Sequence, residues 1–158
     1  MNKSLRTGIS FGMTSGVITT LGLMVGLHSG THSKAVVIGG IMTIAVADAF
    51  SDALGIHISE ESENIHSHKE IWAATMATFF SKFLFALTFV IPVLLMELIS
   101  AIAVSVLWGM SVLASLCYFM GKSQGKNPAK VIIEHLAIAV AVIVITHFVG
   151  DLIYAFTK

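Results

Sequence analysis

Three observations predict an all-α membrane protein of five transmembrane helices for this chain. Of 158 residues, 56% are hydrophobic and 11% charged, with a mean hydropathy of +0.89. A water-soluble core of this size does not need so much apolar sequence, so the bilayer is the expected solvent. The apolar sequence falls into five runs, each long enough to supply the ~20 residues that a helix needs to cross the hydrocarbon. No motif of a soluble enzyme interrupts them: there is no phosphate-binding Gly-rich loop before a basic residue, no HExxH and no nucleophile elbow.

The first span covers 8–27 and carries no charge between Arg6 and His28. It follows a short basic start without a convincing small-residue cleavage site, and so reads as a retained helix. The second covers 35–58 and contains Asp48 and Asp52. The third covers 71–96, where Pro92 is expected to kink or end the regular helix. The fourth covers 98–120, after Glu97. The fifth covers 128–156, and Asn127 followed by Pro128 is a good helix start, as cap and first-turn residue. One integral membrane domain fills residues 1–158.

Basic residues orient the spans. An inside amino terminus places Lys3, Arg6, Lys69, Lys122, Lys126 and Lys130 in the cytosol and Lys34 and Lys158 outside, as the positive-inside rule favours. Five spans then put the carboxyl terminus outside. Compactness and the lack of a targeting extension point to a prokaryotic plasma membrane. Zero net charge argues against nucleic acid as a partner, and Cys117, the single cysteine, excludes an intrachain disulfide or a Cys-rich metal cluster. Gly8, Gly12 and Gly16, then Gly22, Gly26 and Gly30, repeat GxxxG spacing along the first helix. Such spacing lets backbones approach closely, either within the chain or at the seam of a homodimer.

The chemistry is concentrated at Asp48 and Asp52. Four-residue spacing puts both carboxylates on one helix face, and acidic groups in hydrocarbon usually face a partner, a water-filled path or an ion. Two hard oxygen ligands aimed the same way suit a divalent cation. Desolvation favours the protonated form of a buried carboxyl, whereas a divalent metal favours the ionised one. One site can then hold protons or metal, the physical basis of exchange. The same stripe continues through Ser59 and Glu63 into an acidic segment, where Glu60, Glu61, Glu63, His66 and His68 are candidate metal-gathering residues at the cytosolic mouth. The plain alternative is a solvated loop.

Thr14, Ser15, Thr19 and Thr20 offer hydroxyls from the first helix, and Ser15 and Thr19 are the candidates to complete a cation's oxygen shell; such hydroxyls more often bond their own backbone. Lys82 is the one cation within the third span. It is read as snorkelling to the interface, against two alternatives: neutralising an aspartate, or yielding to an arriving metal. His147 and Asp151 are expected to form a helix-end pair, Glu134 and His135 to be ordinary first-turn residues, and His28 and His32 are weaker candidates in the outer loop.

With these residues in view, the chain resembles the vacuolar iron transporter family. The likeness runs through Gly12-Met-Thr-Ser-Gly-Val-Ile-Thr-Thr-Leu-Gly-Leu23, Ser51-Asp-Ala-Leu-Gly-Ile-His-Ile-Ser59, Gly125-Lys-Asn-Pro128 and Gly150-Asp-Leu-Ile153, in that order over nearly the whole chain. It implies a homodimer of five-helix subunits, with a cation path near the dimer interface lined by the first two helices. It also implies export of ferrous iron or manganese from the cytosol in exchange for protons, with no permanently bound cofactor and no enzymatic activity. The sequence departs from the family's pattern at four places. Ser15 stands where the family typically has an acidic residue, and Asp52 where it has a methionine. The long Glu-rich cytosolic domain is reduced to residues 60–70, as in plant nodulin-like relatives, which lack it altogether. Lys82 has no counterpart. A carboxylate in place of a thioether hardens the site and leaves manganese, magnesium or calcium open beside iron. Two other readings stay open: a non-transporting membrane protein that uses Asp–Lys82 pairs for assembly, and a proton-coupled transporter of another solute.

Overall fold

The computed structural model describes residues 3–157, which form six helices and, among the described residues, no strand. They are α1 (Lys3–Thr31), α2 (Lys34–Ser62), α3 (His68–Thr88), α4 (Val90–Leu95), α5 (Leu98–Ser123) and α6 (Pro128–Thr157). α3 and α4 together make one crossing, so five segments are long and apolar enough to span a membrane. Lys158, counted above in the charge balance, lies outside the described residues.

Local chemistry sets the helix ends. Ser33 caps α2 by accepting from Val36 N at 3.4 Å. Glu70 reaches back to Ser67 N at 2.9 Å and closes the start of α3. Asn127 caps α6, its Oδ1 accepting from Ala129 N at 3.0 Å with Pro128 in the first turn. The third crossing breaks at Phe89, three residues before Pro92. Proline has no N–H for the carbonyl four residues back and its ring crowds that carbonyl, which here belongs to Thr88. The helix resumes as α4, whose last carbonyls are capped from α2: Lys34 Nζ donates to Leu94 O at 3.2 Å and Met96 O at 3.0 Å.

α1 is the central helix, packed against α2, α3, α5 and α6. Its glycines make this possible. A Cβ on Gly12 would lie 2.5 Å from the Thr78 carbonyl oxygen, and one on Gly8 would collide with the Ala74 carbonyl. Gly8, Gly12 and Gly16 thus carry the α1–α3 contact. Gly22, Gly26 and Gly30 face Val142, Thr146 and Gly150, and carry the α1–α6 contact. All six glycines are consumed inside the subunit, so of the two readings left open for the first helix the intrachain one describes them. The apolar core lies between the helices around Val17, Leu21, Met24, Ile41, Phe89 and Leu113. α6 buries only Val131, Ala139 and Gly150 of its residues, and its other faces are free to meet lipid.

Another small-residue ladder faces outward. Gly39, Thr43, Ala47, Ser51 and Gly55 repeat every four residues along α2, and all are exposed.

Gly12→Ala is expected to destabilise the subunit by about 1–3 kcal/mol, the usual effect of overpacking, because the obstructing atom is backbone and cannot swing aside. Thermal unfolding of the detergent-solubilised protein measures it; an unchanged midpoint would show that α1 and α3 do not approach as closely as described.

Candidate functional site

The two aspartates lie deep. Asp48 is fourteen residues into α2 from Lys34, and Lys82 fourteen residues into α3 from His68. At 1.5 Å per residue both stand roughly 21 Å from their helix starts, near the middle of the bilayer. Ser15 is twelve residues into α1, at a similar depth.

At this level three helices meet around one ammonium. Lys82 Nζ contacts Asp48 Oδ2, sits 2.5 Å from Asp52 Oδ2, and donates to Ser15 Oγ at 2.9 Å. Lys82 is 1% exposed, while the carboxylates keep 27% and 19% of their side-chain surface. Room for the lysine stem comes from Gly16, where a Cβ would lie 3.3 Å from Lys82 Cα and Cγ. The expectation that Lys82 snorkels is therefore overturned. A stem of four methylenes cannot bridge the distance to either membrane face from the middle of a crossing, whereas two carboxylates and a hydroxyl solvate the charge where it stands. Counting from Ile71 hid this depth, because α3 starts earlier, at His68.

Asp48 also borders a cleft of about 650 Å³ between α1 and α2, with Leu23, Leu27, Gly40, Thr43 and Ser51 among its walls. Through it the cluster reaches the exposed face of α2.

The other candidates divide. Thr19 does not join the cluster: its hydroxyl donates to Ser15 O at 2.8 Å, and its side chain lies in a separate cleft with Gly22 and Thr146. Glu60, Glu63 and His66 do come together. His66 Nε2 lies 3.5 Å from Glu60 Oε2 and 3.2 Å from Glu63 Oε2, and its Nδ1 is 3.3 Å from the hydroxyl of buried Ser4 on α1. The imidazole itself occupies the place between the two carboxylates. Glu61 is exposed beside this group, and His68 turns away to accept from Trp72 Nε1 at 3.1 Å. Among the described residues no three His, Cys, Asp or Glu side chains form a group able to hold a metal ion. Ser59 is exposed and takes no part in either cluster.

At the far end of the bundle His147 Nε2 and Asp151 Oδ2 are 3.4 Å apart, as the spacing predicts. Ser29 of α1 also donates to Asp151 Oδ1, so the pair is tied to a second helix. The His28 and His32 rings lie 5.6 Å apart nearby, tilted by 56°, and His32 lies 5.0 Å from Tyr154. Sequence reasoning missed His57. Its Nδ1 is 2.9 Å from Thr75 Oγ1, and Thr75 donates its own proton to Ile71 O at 2.8 Å. Nδ1 must therefore carry the hydrogen of that contact. No sequence signal marks His57, because its partner comes from another helix.

Comparison with family models, curated proteins and solved structures finds no match to this chain.

Removing one member of a buried ion pair typically costs about 3–5 kcal/mol, because the partner charge is stranded. Lys82→Met is accordingly expected to lower the thermal midpoint strongly. Adding Asp48→Asn and Asp52→Asn to it should recover most of the loss. If Lys82→Met alone leaves stability unchanged, the ammonium is not held as described.

Proposed function

We propose that the chain is a divalent-cation transporter of the membrane, related to the vacuolar iron transporters, in which Asp48 and Asp52 bind the transported ion and Lys82 competes for the same place. The observation that carries this reading is the mid-membrane position of a cation enclosed by two carboxylates and a hydroxyl from three helices. Transporters commonly bind their substrates at this depth. The ammonium stands where a metal would, and its oxygen neighbours are hard donors of the kind that manganese, magnesium or ferrous iron accept.

The electrostatics couple the two cations. Two ionised carboxylates and one ammonium leave one negative charge uncompensated. A divalent ion held with a charged Lys82 would make the group net positive in a low-dielectric setting. Metal entry therefore favours either withdrawal of Lys82 or loss of its proton, and metal departure favours the reverse. This is a route to proton-coupled exchange that needs no nucleotide. At the amino-terminal end, Glu60, Glu63 and His66 form a polar mouth, which under the positive-inside orientation faces the cytosol. Export of ferrous iron or manganese from the cytosol is the form of transport the resemblance implies.

The functional unit in this reading is a homodimer. Its seam is the outward ladder Gly39, Thr43, Ala47, Ser51 and Gly55 on α2, since small residues at four-residue spacing let membrane helices approach. A second copy there would close the cleft beside Asp48 and remove its polar atoms from lipid.

The same geometry favours one rival. The full burial of Lys82 suits a permanent structural ion pair that fastens α1, α2 and α3, in a protein that transports no metal.

Two experiments test the proposal. In proteoliposomes, manganese or ferrous iron flux is expected to depend on a pH gradient and to fall at least tenfold in Asp52→Asn. No flux of manganese, iron, magnesium or calcium from folded wild-type protein would leave the structural role. In membranes, Ala47→Cys in a Cys117→Ser background is expected to give a disulfide-linked dimer on mild oxidation, whereas Val144→Cys on α6 should not. A monomeric Ala47→Cys protein would remove α2 as the seam.

A further inference from the structure

The bundle is chemically lopsided at its amino-terminal end. The α2–α3 connection and its flanks carry Glu60, Glu61, Glu63 and Glu70, whereas the α5–α6 connection and its flanks carry Lys122, Lys126 and Lys130 against one carboxylate, Glu134, which lies 4.0 Å from Lys130. On the basic side a pocket of about 350 Å³ opens between α1, α5 and α6, lined by Arg6, Ser10, Thr14, Gln124 and His135 with Phe11 as an apolar wall. Arg6, Ser10 and Thr14 follow at four-residue spacing along one face of α1. This face is not the one that carries Ser15 to Lys82, because consecutive residues diverge by about 100°.

The donors of this pocket are free. Among the described residues no carboxylate pairs with Arg6. Hydroxyls in membrane helices usually bond their own backbone, as Thr7 does to Lys3 O at 3.2 Å and Thr19 to Ser15 O at 2.8 Å. Ser10 and Thr14 make no such bond among the described residues. His135 Nδ1 lies 2.9 Å from Val131 O. A carbonyl can only accept, so Nδ1 carries the hydrogen and Nε2 remains free of that contact.

Depth narrows the ligand. Arg6 lies in the first turn of α1, and Thr14 is roughly 12 Å further along its axis. The pocket therefore runs from the membrane boundary at Arg6, past Ser10 one turn below, down to the level of the Lys82 cluster at Thr14. A phospholipid at this depth offers acceptors only: phosphate oxygens at the boundary and ester carbonyls below them. The protein offers donors at both levels: the Arg6 guanidinium and the Gln124 amide at the boundary, and the Ser10 hydroxyl one turn below. A choline headgroup would bring a second cation against Arg6, whereas an anionic headgroup adds no like charge. Basic pockets between membrane helices are a recognised form of anionic-lipid site.

We propose that this pocket binds one anionic phospholipid, with its phosphate on Arg6, an ester oxygen on Ser10 one turn deeper, and an acyl chain running past Phe11, Thr14 and Met120. The site is separate from the Lys82 cluster and does not depend on the transport reading.

The test is native mass spectrometry of the full chain from detergent micelles containing equal amounts of phosphatidylglycerol and phosphatidylcholine of matched chains. Wild-type protein is expected to retain phosphatidylglycerol over phosphatidylcholine. Arg6→Gln should reduce that preference about fivefold, the effect of one basic residue near an anionic surface. Arg6→Lys should keep part of it, and Ser10→Ala should lower retention while helix content by circular dichroism stays unchanged. Lys69→Gln, on the acidic side, should change nothing. Equal retention of both lipids by wild type overturns the proposal, as does an undiminished preference in folded Arg6→Gln. Inorganic phosphate at millimolar concentration should not displace the lipid. If it does, the pocket is a soluble-anion site and the lipid assignment fails.

Discussion

One ammonium in the middle of the membrane governs this structure. Hydrocarbon does not tolerate an unpaired charge, so placing Lys82 at the centre of the third crossing requires acceptors at the same depth on its neighbours. Asp48 and Asp52 supply them from α2 and Ser15 from α1. The requirement extends to shape. Gly16 leaves the space through which the lysine stem passes, and Gly8 and Gly12 bring α1 close enough to α3 for Ser15 to reach the ammonium. The charge cluster and the glycine face are thus parts of a single packing solution, and the three helices are fixed relative to one another by both.

The same solution decides what is left for the outside. α1 spends one glycine triplet on α3 and the other on α6, so it has no small-residue face to offer a second subunit. α2 is packed on α1 and α3 through Val37, Ile41, Ala45, Ala49 and Ala53, a strip one residue in four. Its opposite side retains the Gly39-to-Gly55 ladder and the large apolar residues Met42, Val46, Phe50 and Leu54. The exposed small-residue ladder of α2 therefore leaves room for close helix approach that the crowded central helix does not.

The ends of the bundle show how the fold shares out polar work. At the amino-terminal end His66 draws Glu60, Glu63 and Ser4 together across α1 and α2, while Arg6 lines a separate pocket with Gln124 and His135. At the opposite end Ser29 and His147 share Asp151 between α1 and α6. Each cluster uses α1 as one wall, as the central helix touches nearly every other.

Much of this was legible from the residues in order. Hydropathy is a property of each segment against the bilayer, so the five crossings, the start at Asn127 and Pro128 and the break near Pro92 follow without knowledge of neighbours. The 3.6-residue repeat likewise put Asp48 and Asp52 on one face. It also paired His147 with Asp151, since both residues of that pair lie on one helix. What periodicity cannot give is the identity of the group opposite a face. It left the glycine triplets divided between an internal and an external seam, sent Lys82 to the interface, and grouped Thr19 with Ser15 although their side chains enter different clefts. The sequence by itself determined the number of crossings and which face of each is polar or small, because those depend on local composition and helix geometry. Only the tertiary structure decided that the ammonium belongs between the two aspartates, because that contact joins residues thirty or more positions apart and exists only once three helices have packed.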